Sequence, residues 1–288
     1  MIKKGIILAG GMGTRMSPLT KAVNKQLLPL YDKPLIYYPL SVLMLTGIRN
    51  ILIIVNKGQL NQFRKILPEK NNLGIKIQYK EQLKPNGLPE AFIIGEKFIE
   101  KDSVALILGD NFFYGQSLTK ILKRNTSIKN CAKIFLHPVR NPNLYGVATV
   151  NKKNKVIKLI EKPKKTLSNL AVTGLYFFDN KVIQYSKELK PSKRKELEII
   201  DLLNKYKKGN KLKAELIGRG GTWLDTGSVK DFYDASNFIS TIENRQGLKI
   251  ACLEEIAINN KWINKDDIKN AIKFYGNCEY SKYLNSII

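Results

Sequence analysis

Short apolar runs alternate with longer mixed segments through the first part of the chain. Runs rich in β-branched residues and leucine predict four strands, at 5–8, 51–55, 75–79 and 104–108. The segments between them carry apolar residues nearer to the helical period than to strict alternation, which predicts helices at 35–46, 59–67 and 88–99. Strands that alternate with helices in this way are typical of a parallel sheet with helices on both faces.

The pattern changes after about residue 130, where strand-like runs follow one another more closely. Four of them predict a mixed extension of the sheet, at 132–138, 146–150, 156–160 and 172–178. A fifth lies at 211–217, and helical spacing at 263–274 and 280–287 predicts a small helical C-terminal appendage. The expected fold class is therefore α/β, with a Rossmann-like, mixed, mostly parallel central sheet, helices on both faces and this appendage.

Residues 8–15 form the strongest local signal, an apolar strand that runs into a glycine-rich turn and ends on an arginine. Glycines let backbone N–H groups approach an anion closely, and the always-charged guanidinium of Arg15 suits phosphate oxygens. The dinucleotide fingerprint is excluded because Met16 stands where it requires glycine, and no Gly-Lys-Ser/Thr follows as in a P-loop. The loop predicts a phosphate site, and the alternative is a plain strand-to-helix turn with a surface arginine.

Two aspartates lie where a divalent cation could bind. Asp110 directly follows the run 104–109, so its carboxylate is expected at the carboxyl end of a strand, where ligands collect in open parallel sheets. Asp225 is flanked by glycines in the segment 220–227. Mg²⁺ typically takes one or two carboxylates together with substrate phosphates, so the pair predicts a magnesium site. The alternative is that Asp110 caps the next turn and Asp225 caps a helix that begins near Ser228.

Lysines beside loop-forming residues are candidates for contacts with a second phosphate. Lys25 lies shortly after the glycine loop, and Lys162 follows Glu161 and the strand 156–160. Each could present a point charge, although a lysine is ordinarily a solvated surface residue. His137, the only histidine, lies in a strand-like run and is expected to be packed or hydrogen-bonded rather than catalytic. Without a Ser/His/Asp or Cys/His constellation, nucleophilic hydrolysis is not predicted.

Composition limits the class of protein. With 288 residues, 43% of them hydrophobic, the chain can bury a substantial core. Lysine and arginine number 49 against 24 aspartates and glutamates, and such a net charge of +25 indicates nucleic-acid or membrane binding when it is concentrated. Here the lysines are spread along the whole chain, so neither partner is predicted. Attraction of a small anionic substrate is compatible with the charge.

The cysteines and the amino terminus bear on location. Three cysteines without CxxC spacing predict neither a disulfide framework nor a zinc site, which favours a reducing, cytoplasmic setting. The first apolar run is too short for a signal peptide, since it enters the glycine turn. No apolar run in the sequence approaches the roughly 20 residues of a membrane span.

Further motifs follow one another in order along nearly the whole chain. They occupy residues 5–15, 24–29, 31–41, 109–115, 145–147, 161–163, 172–177, 196–199 and 223–227. In this order they resemble the motifs of the bacterial sugar-phosphate nucleotidylyltransferases. The glycine loop alone indicates only the broad superfamily, whereas Lys-Gln-Leu-Leu-Pro at 25–29 and Asp-Lys-Pro-Leu-Ile-Tyr-Tyr-Pro at 32–39 are similar to the thymidylyl branch rather than the uridylyl branch.

The resemblance implies a reaction that agrees with these residues. An oxygen of glucose 1-phosphate would attack the α-phosphorus of dTTP in line, with Mg²⁺ as cofactor, giving dTDP-glucose and pyrophosphate. No general base is required because the attacking phosphate is already anionic, so catalysis is positioning plus charge stabilisation. The product would supply activated sugars such as those that lead to rhamnose. A rival of another class is a basic nucleotide- or RNA-binding protein that keeps the fold without catalysis.

The same resemblance implies roles for individual residues of this chain. Arg15, Lys25 and Lys162 are expected to be catalytic, and Asp110 and Asp225 are expected to bind the metal. The expected nucleotide-binding residues are Leu8, Gly10, Gly11, Gly13, Thr14, Arg15, Gln26, Gln82, Gly87, Leu88 and Asp110. The expected sugar-phosphate-binding residues are Tyr145, Gly146, Glu161, Lys162, Val172, Tyr176 and Arg194.

An organisation and an assembly are also implied by the resemblance. Residues 1–240 would form the catalytic domain, with a nucleotide-binding part up to about residue 130 and a sugar-binding part over 131–240. Residues 241–288 would form a helical segment for oligomer or regulatory contacts. The family is often homotetrameric, with feedback inhibition by a dTDP-sugar at a second site.

Four positions depart from the family pattern. Ile200, Asn24 and Lys195 stand where threonine, serine and glycine are usual. None of these changes removes a charge assigned above. Asn259 stands where arginine is expected, so catalysis is predicted while feedback control is left open.

Overall fold

A computed structural model describes residues 1–152 and 154–288 as layers of helices on a central sheet. The strands are β1 (Lys4–Ala9), β2 (Pro29–Leu30), β3 (Lys33–Pro34), β4 (Asn50–Asn56), β5 (Lys76–Gln82), β6 (Val104–Leu108), β7 (Asn111–Gly115), β8 (Ala132–Pro138), β9 (Gly146–Val150), β10 (Val156–Glu161), β11 (Leu170–Phe178), β12 (Leu212–Leu216) and β13 (Gly221–Asp225). The α-helices are α1 (Tyr37–Leu45), α2 (Leu60–Ile66), α3 (Glu90–Ile94), α4 (Glu96–Ile99), α5 (Leu118–Arg124), α6 (Lys181–Lys187), α7 (Ile199–Lys208), α8 (Val229–Gln246), α9 (Leu253–Asn259), α10 (Lys265–Tyr275) and α11 (Glu279–Ser286).

The central sheet has a parallel half and a mixed half. In the first half β5, β4, β1 and β6 lie side by side and are parallel, so that Ile6 pairs with Leu52 on one side and Leu106 on the other. In the second half β11 runs antiparallel to β6, β8 and β9, β10 is antiparallel to β9, and β12 is parallel to β8. Over the described ranges this sheet has nine strands. The α/β class and the mixed sheet with a parallel core are confirmed.

Both faces of the sheet are covered, because successive residues of a strand point to opposite sides. Ile6 and Ile7 are each fully buried, but they belong to two different hydrophobic clusters. Helix α1 supplies Leu43 to the Ile7 cluster, while α3 and α7 supply Phe92 and Leu203 to the Ile6 cluster. Each such side chain contributes about 1.5–3 kcal/mol by leaving water. Helices therefore lie on both sides of the sheet, as the sequence predicts.

The segment 88–99 is not the single helix that its spacing predicts. It forms two short helices, α3 and α4, which meet at Gly95. A Cβ at Gly95 would lie 3.0 Å from Ile6 Cδ1, so the glycine allows the chain to pass close to the sheet at this point. Glycine also ends helices readily because its backbone is freer than that of other residues. The break follows from packing against β1, which local periodicity does not report.

Three helices, α9 to α11, follow the long helix α8 and confirm the predicted helical appendage. Their own small core includes Ile268 and Leu284. Glu254 is only 2% exposed, and its carboxylate accepts hydrogen bonds from the hydroxyls of Tyr275 and Tyr280 at 2.9 and 2.6 Å. Because a buried carboxylate is stable only with such donors, these bonds tie the three helices together. In the described ranges no helix combines the length and the apolar character that a membrane crossing needs.

The sequence does not predict the second, two-stranded sheet, which β7 and β13 form. These strands pair antiparallel, with Phe113 opposite Trp223 and Asn111 opposite Asp225. Each strand has five residues, and neither shows an alternation of apolar and polar residues that identifies a strand locally. The pairing joins two segments that lie outside the predicted strands, and both carry a candidate metal ligand at or next to their ends.

Candidate active site

A cleft of about 240 Å³ lies beside the carboxyl end of β6 and the strands β9, β10 and β11. Ten of the residues that the sequence predicts for the site line this cleft: Arg15, Leu88, Asp110, Tyr145, Gly146, Glu161, Lys162, Val172, Tyr176 and Asp225. Residues expected for a triphosphate, a metal ion and a sugar phosphate therefore share one cavity.

An ion pair connects the segment after the glycine loop to the cleft. Lys25 Nζ lies 2.7 Å from Asp110 Oδ2, and the lysine side chain is only 6% exposed. Asn111 Nδ2 donates to the other carboxylate oxygen of Asp110 at 3.0 Å. Burial by itself raises the pKa of Asp110, but the Lys25 ammonium and the hydrogen bonds outweigh burial and hold this pKa below its ordinary value. Asp110 is therefore a carboxylate at neutral pH.

Asp225 has the opposite electrostatic character. Burial, followed by the negative charge of Asp110, raises the pKa of Asp225 to about 6, while Lys25 and Arg15 oppose this rise. Two carboxylates at such close quarters repel each other, and a divalent cation between them relieves the repulsion. Two carboxylates beside a phosphate-type loop are a donor set that fits Mg²⁺.

The guanidinium of Arg15 lies close to the carboxylate of Asp225. A Cβ at Gly227 would lie 3.0 Å from Arg15 Nη2 and 3.1 Å from both carboxylate oxygens of Asp225, so the guanidinium and the carboxylate approach one backbone position. The arginine follows a loop in which Gly11 and Gly13 have φ values of +105° and +58°. Glycine takes up such left-handed conformations without strain, which explains how the loop turns so sharply after β1.

The β7–β13 sheet holds the two aspartates in register. Thr226 donates its N–H and its hydroxyl to the backbone carbonyl oxygen of Asp110, at 3.1 and 2.8 Å. Asn111 Oδ1 accepts from Trp223 Nε1 at 2.5 Å and from the Gly174 N–H at 3.0 Å. Asn111 thereby links β7 to both β13 and β11, so the strands around the cleft are tied together at one side chain.

Sequence reasoning missed several residues of this cleft. Leu108, Asn111, Gly174, Ile199, Ile200 and Trp223 also line it. The only signal for two of them is position, since Asn111 directly follows Asp110 and Trp223 closely precedes Asp225. Their contacts with each other depend on the β7–β13 pairing, which the sequence does not reveal.

The geometry decides one alternative, for Asp225, and one expectation, for His137. Helix α8 begins after Ser228, whose side chain accepts the N–H of Asp231, so the interpretation of Asp225 as a helix cap is wrong. Asp225 instead ends β13. His137 Nε2 donates to the carbonyl oxygen of Gly221 at 3.2 Å, which confirms the expectation that the histidine is packed and hydrogen-bonded.

Glu161 and Lys162 also line the cleft, and Arg194 lies beside Glu161 without lining it. Burial raises the pKa of Glu161, although the charges of Lys162 and Arg194 oppose the rise. Arg194 donates to Glu198 from Nε and Nη2, at 3.1 and 2.7 Å, and lies 3.7 Å from Glu161. Its guanidinium is half exposed, so it can turn toward an anion that enters the cleft.

Aromatic rings and a glycine shape one wall of the cleft. Tyr145 packs edge to face on Trp223, with ring centroids 5.1 Å apart. A Cβ at Gly146 would lie 2.9 Å from Ile200 Cδ1, so the glycine keeps this part of the cleft open. Tyr176 is 3% exposed, and burial raises its pKa far above the ordinary value, so its hydroxyl remains neutral.

The other predicted nucleotide-binding residues surround the glycine loop. A Cβ at Gly10 would lie 2.5 Å from Gln82 Oε1, which places this loop in direct contact with Gln82. Gln82 and Gln26 are both 4% exposed. Within the part of the chain that the structure describes, Gln26 Oε1 has no hydrogen-bond partner and is a buried free acceptor. Leu8 ends β1 with Ala9, and Thr14 begins the short 3₁₀ turn that carries Arg15.

Gly87 lies where any side chain would push two segments apart. Its φ is +104°, and a Cβ there would lie 2.1 Å from the backbone oxygen of Leu197. We expect Gly87→Ala to lower the free energy of unfolding by about 3 kcal/mol, because the clash involves backbone that cannot rotate away. Denaturant unfolding measures the effect. Gly47→Ala is the matched control, since Gly47 has a φ of +91° but open space around it, and an equal loss in both variants would contradict the expectation.

Known proteins share sequence and fold with this chain. Residues 4–242 match the model of the nucleotidyl transferase family. The chain belongs to the nucleotidyl transferase family. The resemblance that the motifs indicate is thereby confirmed, and the chain is an enzyme of the nucleotidyltransferase class.

Relatives of this nucleotidyl transferase carry more specific names. It is 48% identical, over 281 residues and 98% of both chains, to the glucose-1-phosphate thymidylyltransferase of Neisseria meningitidis. A Bacillus anthracis protein assigned as a glucose-1-phosphate thymidylyltransferase, crystallised in complex with a sucrose, is 38% identical with a TM-score of 0.76, covering 82% of this chain and 94% of that one. A UDP-glucose pyrophosphorylase complexed with UDP-glucose is 28% identical with a TM-score of 0.73, covering 84% and 100%.

Proposed function

We propose that the chain transfers the thymidylyl group of dTTP to glucose 1-phosphate, forming dTDP-glucose and pyrophosphate, with Mg²⁺ as cofactor. The observation that carries the proposal is the single cleft that Arg15, Asp110 and Asp225 line together with Glu161 and Lys162. The full-length identity to a thymidylyltransferase supports the choice of substrates. An oxygen of the sugar phosphate attacks the α-phosphorus, the bond to the oxygen that bridges to the β-phosphate breaks, and pyrophosphate leaves with the electron pair.

The glycine loop and two cations form the triphosphate side of the proposed site. Backbone N–H groups of the turn from Gly10 to Thr14, other than the Gly11 N–H that donates to Asn56, bind the triphosphate, as loops at strand ends do. Arg15 offsets the negative charge that develops on the departing pyrophosphate, and Lys25 assists from beside Asp110. The attacking phosphate is anionic before the reaction starts, so the site needs no general base.

Asp110 and Asp225 are the proposed ligands of Mg²⁺. A cation held by these carboxylates would neutralise phosphate charge and so lower the free energy needed to bring two anions together. Lys25 keeps Asp110 ionised, and the register of β7 with β13 holds Asp225 beside it. Both carboxylates are therefore in place before a substrate arrives.

Two groups of side chains recognise the two substrates. Gln26 and Gln82, both buried beside the glycine loop, offer amide groups to the thymine and the deoxyribose, and Gly87 and Leu88 pack near the base. Lys162 and Arg194 bind the sugar phosphate. The hexose hydroxyls meet Glu161, Tyr176 and the backbone of Gly146, with Tyr145 and Val172 in the wall.

Purified protein supplied with Mg²⁺, dTTP and glucose 1-phosphate should release pyrophosphate, and a coupled pyrophosphate assay measures the rate. The same assay with UTP, CTP and ATP, each at several concentrations, should give the highest kcat/KM for dTTP. Chelation of Mg²⁺ should abolish the activity. An enzyme that turns over no combination of nucleotide and hexose 1-phosphate would contradict the proposal.

UTP is the second candidate nucleotide, because a UDP-glucose pyrophosphorylase shares this fold. UTP differs from dTTP by a 2′-hydroxyl and by the missing methyl group on the base. A kcat/KM that is higher for UTP than for dTTP would make the chain a uridylyltransferase. Tight, strongly salt-dependent binding of an oligonucleotide without turnover would instead favour the nucleic-acid-binding rival.

The assembly and the location belong to the same proposal. We infer a cytoplasmic homotetramer in which residues 1–240 carry the reaction and residues 241–288 supply contacts between subunits. The proposal does not include feedback regulation, because Asn259 stands in place of the expected arginine. Light scattering in solution measures the mass of the assembly, and a monomer would contradict it.

A further inference from the structure

Three side-chain amides, those of Asn24, Asn56 and Gln59, lie behind the glycine loop, and none of them belongs to the expected set of site residues. Asn56 holds the Gly11 residue at both of its backbone polar groups. Asn56 Oδ1 accepts the Gly11 N–H at 2.9 Å, and Asn56 Nδ2 donates to the Gly11 carbonyl oxygen at 2.9 Å. The planar amide therefore fixes the orientation of the backbone on either side of Gly11.

Asn24 makes a matching set of bonds to the segment that carries Lys25 and Gln26. Its Oδ1 accepts the N–H of Gln26 at 2.8 Å, which caps the short turn at 25–27. Its Nδ2 donates to the carbonyl oxygen of Ala9, at the end of β1, at 3.3 Å. Asn24 is 3% exposed, so these groups depend on one another rather than on water.

Gln59 joins the two asparagines. Its Oε1 accepts from Asn24 Nδ2 at 2.5 Å and from Asn56 Nδ2 at 3.2 Å. The three amides therefore form one connected network. Through it the end of β1, the glycine loop, the turn with Lys25 and the segment after β4 become a single unit.

The loop needs an external restraint of this kind. Gly11 has a φ of +105°, and no atom would lie within 4 Å of a Cβ built on it, so packing around this position does not hold the backbone. Glycine loses more conformational freedom on ordering than any other residue. A binding loop that is ordered in advance spares this loss when the ligand arrives, and the gain appears as affinity.

We propose that Asn24, Asn56 and Gln59 are positioning residues, an amide clamp that orders the triphosphate loop and the Lys25–Gln26 turn before the nucleotide binds. The inference rests on the proposed function, because it takes the loop as the triphosphate site. In the part of the chain that the structure describes, the bonds of the clamp go to Ala9, Gly11 and Gln26 on the nucleotide side. The expected sugar-phosphate residues Gly146, Glu161 and Val172 lie instead on β9, β10 and β11. Loss of the clamp should therefore weaken binding of one substrate and not of the other.

Asn56→Ala tests the clamp. Two hydrogen bonds to Gly11 are lost, so the KM for the nucleotide should rise roughly 10- to 100-fold. The KM for glucose 1-phosphate, measured at saturating nucleotide, should stay within about twofold of the wild-type value, and kcat should change less than the nucleotide KM. A role in general stability alone would not produce this split between the two substrates.

Asn61→Ala is the matched control, because Asn61 is the same residue type, is exposed and lies on the adjoining helix α2. It should leave both KM values unchanged. Asn24→Ser is the second variant. Serine keeps an acceptor for the Gln26 N–H but lacks the amide donor, so the nucleotide KM should rise less than in Asn56→Ala.

The outcomes separate the two levels of the proposal. If the wild type turns over nucleotide but both variants keep its nucleotide KM, the clamp is overturned and the proposed function stands. If both KM values rise together, the amides are structural rather than positioning residues and the clamp is overturned again. If the wild type itself releases no pyrophosphate with any nucleotide, the proposed function fails and the inference fails with it.

Discussion

Asp225→Asn should lower kcat/KM by roughly 10³-fold and at the same time make the folded protein more stable. The activity should fall because the substitution removes one of two proposed metal ligands and an ionised oxygen at the reacting centre. The stability should rise because the wild-type carboxylate is held, partly buried, next to the charge of Asp110. A residue that improves function at the expense of stability is expected to show these opposite signs.

The sign of the stability change follows from the pKa of Asp225. Burial and the Asp110 charge raise this pKa from 3.8 to about 6 in the folded state. The folded protein therefore binds the proton more tightly than the unfolded chain, and ionised Asp225 destabilises the fold by about 3 kcal/mol above pH 7. That destabilisation disappears as the pH falls through 6 toward the unfolded value. Asparagine does not ionise, so the advantage of the variant should be full at pH 8 and lost near pH 4.

Melting temperatures of wild type and variant at pH 8 and pH 5 measure this difference. At pH 8 the variant should melt a few degrees higher, and the gap should narrow at pH 5. Asp234→Asn is the control, because Asp234 is an exposed acid on α8 that pairs with the exposed Lys230. It should change neither activity nor the pH dependence of melting. A variant that melts below the wild type at pH 8, or that keeps its kcat/KM, would show that Asp225 has another role.

The inner strands of the parallel half, β1, β4 and β6, could be predicted because they are buried on both faces. Such strands appear as short continuous apolar runs, and β6 occupies the predicted residues 104–108. The strands β8 and β9 also have their predicted bounds, 132–138 and 146–150. In these segments the structure that the local sequence favours is also the one that the folded protein adopts, so tertiary contacts do not alter the predicted strand.

The pairing of β7 with β13 could not be predicted because it is a long-range contact. Asn111 and Trp223 are 112 residues apart in the chain, yet their side chains form a hydrogen bond. Nothing within either five-residue segment demands a strand, since each becomes one only beside the other. The hydrogen bond between Asn111 and Trp223 could not be predicted for the same reason, although both residues lie in motifs next to the candidate metal ligands.

Contacts between single residues of the site could also be predicted only in part. Asp110 and Asp225 could be paired from the sequence, because their positions after a strand and between glycines suggest a cleft. The ion pair of Lys25 with Asp110 could not, because nothing local connects a lysine to an aspartate 85 residues away. Asn24 was notable only as a replacement for serine, and its bonds to Ala9 and Gln59 emerge from the folded loop.

Asp110→Asn should lower kcat/KM by roughly 10³-fold, as Asp225→Asn does, but with the opposite effect on stability. Asp110 is ionised at neutral pH, and its carboxylate is the partner of the buried Lys25 at 2.7 Å. Asparagine leaves that ammonium without a paired charge in a place where it is only 6% exposed. Breaking a buried ion pair from one side costs roughly 3 kcal/mol. Urea unfolding at pH 8, where the ionised form of Asp110 contributes fully, measures the loss.

Two further variants separate the effect of the ion pair on stability from its effect on catalysis. Lys25→Met combined with Asp110→Asn removes both partners of the ion pair. The double variant should recover most of the lost stability, because replacing a buried pair by uncharged groups often changes the free energy of unfolding little. Its activity should stay as low as that of Asp110→Asn. Glu69→Gln removes the partner of Arg64 in an ion pair that is 47% exposed on both sides, and it should cost less than about 1 kcal/mol. An Asp110→Asn variant as stable as Glu69→Gln would mean that Lys25 finds another carboxylate. Asp225 is the neighbouring acid, and pairing with Lys25 would lower the pKa of Asp225 toward its ordinary value. In the Asp110→Asn background, Asp225→Asn would then no longer raise the stability.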